Sequence, residues 1–158
     1  MKQMTTSNKG KQLIKEFETL SLTAYLCPAK VPTIGYGHTK GVKMGQRMTL
    51  AQAEDALVED IAPIERLLNG LGINFRQEQF DALVSWVFNL GAAKFTSSTL
   101  YKKVVAKAAD EEITDQMVRW VYCGKEVLAG LVNRRVTEAN YFLGYNRYKV
   151  EKNVIVKV

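Results

Sequence analysis

Apolar residues share one helical face at the start of the chain. Leu13, Ile14, Phe17 and Leu20 follow Ser7, a residue suited to capping, and this pattern predicts an amphipathic helix over roughly 8–19. From Ser21 to Met48 the texture changes. β-Branched and aromatic residues alternate with Gly35, Gly37, Gly41 and Gly45, and Pro28 and Pro32 interrupt, which predicts short strands and tight turns. Helix then returns. Thr49-x-x-Gln52 fits a capping box for a helix through Leu57 and Ile61, which Pro63 should kink or restart before a stop at Gly70 and Gly72. Asn74-x-x-Gln77 fits a second box ahead of Phe80, Leu83, Val84, Val87 and Leu90, a stripe closed by Gly91. Further helices are predicted over about 99–108, 110–121 and 131–143, with Gly144 as the stop. The tail, 145–158, mixes Lys149, Lys152 and Lys157 with Val150, Val154, Ile155, Val156 and Val158, and reads as a strand or a docked extension. The fold class is therefore α+β and mainly helical. A small β lobe of about 21–48 precedes a helical lobe of about 49–144 and the tail, all within a single domain, 1–158.

Composition narrows the class without naming a function. With 47% hydrophobic and 24% charged residues in 158, the chain has enough apolar material for a core, and a collagenous, mucin-like or disordered protein is excluded. Cys27 and Cys123 cannot form a disulfide framework, and no spacing of Cys and His suits a structural zinc site, so neither metal nor cofactor is expected. No window approaches the roughly 18 apolar residues of a membrane span, and the N-terminus lacks the apolar core of a secretory signal. The expectation is a chain made in the cytoplasm with no membrane span. A net charge of +6 favours nucleic acid, anionic lipid or an anionic cell wall as partner, and serves equally as a solubility feature.

Chemistry concentrates around the β lobe. No Asp or Glu lies between Glu18 and Glu54, while Lys30, Lys40, Lys43 and Arg47 do, so the lobe is basic. Glu18 ends the first helix beside Phe17 and one turn after Ile14. It reads either as an exposed helix-end charge or as a carboxyl bordering the apolar stripe, a setting suited to general-acid work. Cys27, before Pro28 in this basic segment, reads either as a small buried apolar residue or as a thiolate base or nucleophile. Thr33 opens the run TIGYGHT, which holds the chain's one histidine, His38. A hairpin histidine is more often a structural hydrogen-bonding group than a base. Cys123 reads as structural.

The spacing Glu18, eight residues, Cys27, five residues, Thr33 and then TIGYGHT resembles the active-site signature of the phage-type lysozymes. The likeness continues in order through VFNLG at 87–91, GAAKFTSSTL at 91–100, Arg119-Trp120 and GLVNRR at 130–135, and so covers about 10–144. It implies a lysozyme-like fold with a cleft between the two lobes. The activity it implies is that of a monomeric muramidase, an endolysin hydrolysing the β-1,4 bond between N-acetylmuramic acid and N-acetylglucosamine in peptidoglycan. It further implies Glu18 as general acid, and Cys27 and Thr33 holding or activating water. Cys27 stands where most of the family has Asp. Arg134 matches an arginine beside the catalytic Glu, where pairing would favour the carboxylate and oppose desolvation. Phe88 and Ser98 match positions lining the saccharide cleft, with core packing an equal reading for Phe88, and His38 is structural. Family analogy adds synthesis in the host cytoplasm, exit through a holin, and action on the wall or periplasm, where the basic surface meets an anionic polymer. The rival readings are a lytic transglycosylase using Glu18 alone, and a non-catalytic domain binding cell wall or nucleic acid. Against a nucleic-acid partner stands the lack of a groove-reading or aromatic-stacking motif.

Overall fold

Ser7 starts the first helix as its pattern predicts. In the computed structural model, which describes residues 3–158, its hydroxyl accepts from the Gly10 N–H at 3.1 Å, and α1 (Asn8–Phe17) turns Leu13 and Ile14 inward. The helix stops one residue short of Glu18, whose backbone is extended at φ −97°, ψ 128°. The chain passes directly into an antiparallel hairpin of β1 (Ser21–Leu26) and β2 (Pro32–Gly35), paired Tyr25 to Thr33 and Leu26 to Pro32. A return segment flanks β1, with Ala24 N–H donating to the Gln46 carbonyl and Met48 N–H to that of Leu22, each at 2.9 Å. Ala24, Ile34 and Val42 form a small core of their own under Met48. The hairpin, its return segment and this small core make one unit ahead of the long helices.

The helical lobe departs from expectation where local signals compete with packing. Thr49 and Gln52 make the expected reciprocal cap, with bonds of 2.8 and 3.1 Å. The helix they begin, α2 (Leu50–Asn69), runs unbroken through Pro63. Proline removes one N–H bond there, but Leu57, Ile61, Ile64 and Leu68 are buried on both sides of it, and that apolar stripe holds the helix together. The next helix, α3 (Gln77–Leu90), starts two residues after the expected position. Gln79, and not Gln77, reaches back to a backbone N–H, that of Arg76 at 2.9 Å, and Asn74 caps nothing. Residues Gln79–Val87 of α3 are all buried, which makes it the central helix, packed by α1, α2 and the last helix. Then follow α4 (Ala92–Ser97), which no periodicity announced, α5 (Thr99–Val105) and α6 (Asp110–Met117). Both α5 and α6 end before their expected limits. After α6 the chain turns Trp120 onto Trp86, with ring centroids 5.4 Å apart, and forms an unforeseen ribbon of β3 (Tyr122–Cys123) and β4 (Glu126–Val127). Exposed Cys123 sits in that ribbon. The last helix, α7 (Ala129–Leu143), stops at Gly144 as expected.

The tail resolves into a hairpin of β5 (Tyr148–Glu151) and β6 (Val154–Lys157). Its two-residue turn, Lys152-Asn153, has φ of 49° and 61°, the positive pair that a type I′ turn demands. The hairpin is pinned by Tyr148, whose hydroxyl lies 2.6 Å from Asp115 and 2.7 Å from Thr114. Burial, then the Asp115 carboxylate, pushes the Tyr148 phenol up to about 12. Near the other end of the chain, Ser7 is held by fully buried Asp81 of α3, which ties α1 to α3 and α7. The Asp81 carboxylate accepts from Ser7 N–H at 3.0 Å, the Ser7 hydroxyl, Gln77 Nε2 at 2.9 Å and the Tyr141 hydroxyl at 3.0 Å. Asp81→Ala is expected to cost about 3 kcal/mol, because several donors lose a charged acceptor at once. Denaturant unfolding would measure it, and a change under about 0.5 kcal/mol would mean that water replaces the carboxylate freely. No helix among the described residues is long and apolar enough to cross a membrane.

Candidate active site

Glu18 projects from the junction of the two lobes. Its Oε2 accepts from Arg134 Nη1 at 2.6 Å, while Oε1 faces Gly37, where an added Cβ would lie only 3.1 Å away. Gly37 also has φ +77°, so both its backbone and its closeness to the carboxyl favour glycine there. Arg134 is all but buried on α7. Besides Glu18 it holds Glu138 through Nε at 3.1 Å and the Ser85 carbonyl through Nη2 at 3.1 Å, and it lies 5.6 Å from the centre of the Phe17 ring. Glu138 is fully buried and also accepts from the Ser85 hydroxyl. Arg135, equally buried, places Nε 2.9 Å from Glu138 Oε1, too bent for a hydrogen bond but close enough for charge attraction. Two carboxyl groups, that of Glu138 buried and that of Glu18 partly exposed, thus face two buried guanidiniums. Burial pulls the Arg135 pKa down, and Glu138 opposes that. Arg134 and Glu138 sit four residues apart on one helix, a spacing readable in sequence once a pairing partner is sought.

Cys27 and Thr33 are brought together by the β1–β2 turn. Pro28 occupies the second position of a tight turn closed by Lys30 N–H on the Cys27 carbonyl at 2.7 Å, and the Cys27 N–H bonds the Val31 carbonyl at 3.1 Å. This geometry folds Val31 and Thr33 back against the half-buried Cys27 side chain. The Val31 N–H holds the Cys27 thiol below its ordinary pKa, partial desolvation opposes it, and the Ala29 N–H and Thr33 hydroxyl add to the lowering. Thr33 is buried, and its hydroxyl lies 2.9 Å from the Val31 carbonyl. With one proton and two acceptors nearby, that hydroxyl can serve the carbonyl or the sulfur.

Two hollows open on either side of Glu18. One, of about 330 Å³, runs past Gly37, Thr39, Lys40, Phe88 and Asn89, and the other, of about 520 Å³, past Phe17, Asn89, Leu128, Leu131 and Arg134. Both fall in the range of small-molecule sites. Half-buried Phe88 lines the first hollow and also packs against the core. Ser98 lies elsewhere. It is buried, its hydroxyl donates to the Phe95 carbonyl at 2.6 Å and caps α5 through Tyr101 N–H at 3.0 Å, and it lines neither hollow. The cap requirement of α5 accounts for a serine there. His38 pairs through Nδ1 with Asp60 at 2.8 Å, and its backbone bridges Ile34, a structural post between β lobe and α2. Asn89 carries no sequence signal of its own, and Glu138 only its spacing from Arg134. Another hollow, beside Phe75, Arg76, Lys107 and Phe142, contains none of the candidate residues. Among the described residues no cluster of His, Cys, Asp and Glu could hold a metal ion.

A family model described as phage lysozyme matches residues 15–138. The chain is 41% identical over 143 residues to an endolysin of Acyrthosiphon pisum secondary endosymbiont phage 1, covering 88% of this chain and 98% of that protein. It is also 41% identical to an endolysin of Bacillus phage PZA, spanning 88% of this chain but about half of that protein, 55%. Among solved structures, the muramidase domain of SpmX from Asticaccaulis excentricus superposes with a TM-score of 0.81 at 37% identity, over 88% of this chain and 97% of that one.

Proposed function

The chain belongs to the phage lysozyme family, and as a glycoside hydrolase of the endolysin type it acts, we propose, as one catalytic unit over 1–158 in which Glu18 is the proton donor and Cys27 with Thr33 handles the attacking water. The bond cut is the β-1,4 link between N-acetylmuramic acid and N-acetylglucosamine in peptidoglycan. The observation that carries this reading is Glu18 at the meeting point of the two hollows, with one carboxyl oxygen tied to Arg134.

The geometry divides the work as follows. Arg134 fixes Oε2, so the acid proton sits on Oε1, on the Gly37 side, where a glycosidic oxygen can approach. A hydrolase of this kind needs a second group to take a proton from water on the opposite face of the sugar. No carboxylate lies between 19 and 53, and Asp60, which lines the hollow beside Glu18, is engaged by His38. The lowered pKa of Cys27 supports a thiolate in that role, with the Thr33 oxygen as second contact for the water. As water attacks the anomeric carbon, its proton passes to the Cys27 sulfur, the glycosidic bond breaks and the leaving oxygen takes the proton from Glu18 Oε1. Phe88 offers an apolar wall for a sugar face. The protein is a monomer made in the host cytoplasm, reaches the wall through a holin, and meets it with the basic β lobe.

Digestion of purified peptidoglycan should release disaccharide peptides with free reducing ends, read by mass spectrometry of the muropeptides. Products lighter by one water would carry 1,6-anhydro rings and make the enzyme a lytic transglycosylase. No release, with the protein retained on the wall, would make it a binding module.

A further inference from the structure

Glu18 and Asn89 are the two residues common to both hollows. Asn89 lies at the C-terminal end of α3, half-buried, and its Oδ1 accepts from Arg135 Nη2 at 2.8 Å. Arg135 has only donors, so this contact fixes which end of the amide is oxygen. The guanidinium cannot turn away. It is fully buried, held by charge to Glu138 at 2.9 Å, and faces the Trp86 ring at 5.9 Å. With the oxygen committed inward, the Asn89 Nδ2 group has no protein acceptor among the described residues, and its side chain lines the cleft.

We propose that Asn89 is a substrate-binding residue of the cleft, donating from Nδ2 to the carbonyl oxygen of a 2-acetamido group on a sugar ring beside Glu18. Arg135 is its positioning residue. The proposal rests on the muramidase reading. With its oxygen turned to Arg135, the amide presents its NH2 donors to the cleft, and the matching group is an acceptor. On a glycan strand the acetamido carbonyl is such an acceptor, whereas each hydroxyl also needs somewhere to donate. A site built to bond one group discriminates against its absence, because its own polar atom is then left unpaired.

The test compares wild type, Asn89→Asp and Asn89→Ala on intact and on partially de-N-acetylated peptidoglycan, with melting temperatures measured in parallel. Asn89→Asp keeps the size and the acceptor for Arg135 but replaces the NH2 donor with an acceptor. The expected loss in kcat/KM on intact polymer is about 10- to 100-fold for both variants. On the de-N-acetylated polymer the gap between wild type and variants should narrow towards unity. Asn89→Asp should melt like wild type, which separates the effect from loss of fold. Variants within about twofold of wild type on intact polymer would overturn the proposal. So would an equal loss on both polymers, which would place Asn89 in the chemistry or the packing instead. Release of reducing ends by wild type is the separate control. Its absence would remove the muramidase reading itself, whereas its presence with unimpaired variants would remove only the role of Asn89.

Discussion

Glu18→Gln should lower the release of reducing-end muropeptides by about 10³-fold, within the range expected for a positioned general acid. The substitution keeps the side-chain length and an oxygen able to accept from Arg134 Nη1, so the 2.6 Å contact has a neutral successor. It also keeps the buried part of the charged cluster, since Arg134 retains Glu138 at 3.1 Å. What is lost is the ionisable proton at Oε1. Glu18 is partly exposed at the cleft, with 22% of its side chain accessible, so the fold has little to lose. The melting temperature is therefore expected to stay within a few degrees of wild type while activity collapses. A variant retaining a tenth or more of the activity would mean that the leaving group takes its proton from water or another residue.

The same residues show how far the sequence could be read. Periodicity located α1, the hairpin segment, α3 and α7, with Ser7 and Gly144 marking the start of the first and the stop of the last, because each carries an apolar stripe or a cluster of turn residues strong enough to act locally. Where a local signal met a tertiary one, packing prevailed. Pro63 did not break α2, because the buried residues around it outweigh one missing bond. α4 is six residues long, too short for a period to show. Ser98 fell in a segment resembling the family's cleft, yet its hydroxyl serves the backbone of α5. The site is legible in part. Glu18, Cys27 and Thr33 lie close in sequence and carry a recognisable spacing, and the turn that joins Cys27 to Thr33 follows from Pro28. Arg134 and Asn89 come from distant helices, and only the folded chain reveals that Arg135 reaches across to Asn89. No local rule relates residues 46 apart.

Cys27→Ala is expected to cost about 10²- to 10³-fold in kcat/KM, whereas Cys27→Asp should match or exceed wild type. The reason lies in the protonation states. The proposed reaction needs an acid still protonated and a base already ionised. A free thiol titrates at about 8.5. The lower the base titrates, the larger the fraction of molecules that carry both states at once. The Val31 N–H, the Ala29 N–H and the Thr33 hydroxyl all lower the Cys27 thiol and so act in that direction. An aspartate ionises far below a thiol, at about 3.9 in ordinary surroundings, so it enlarges the productive population even if it is the weaker base. The sign follows for the pH profile. In wild type the limb assigned to Cys27 lies below that of an ordinary thiol, and in Cys27→Asp it moves several units further to acid. A Cys27→Ala variant with full activity and an unchanged profile would remove the sulfur from the mechanism and leave Thr33 alone to hold the water. A strong loss in Cys27→Ala with no shift of the profile in Cys27→Asp would keep the residue as a contact for water and deny it the proton.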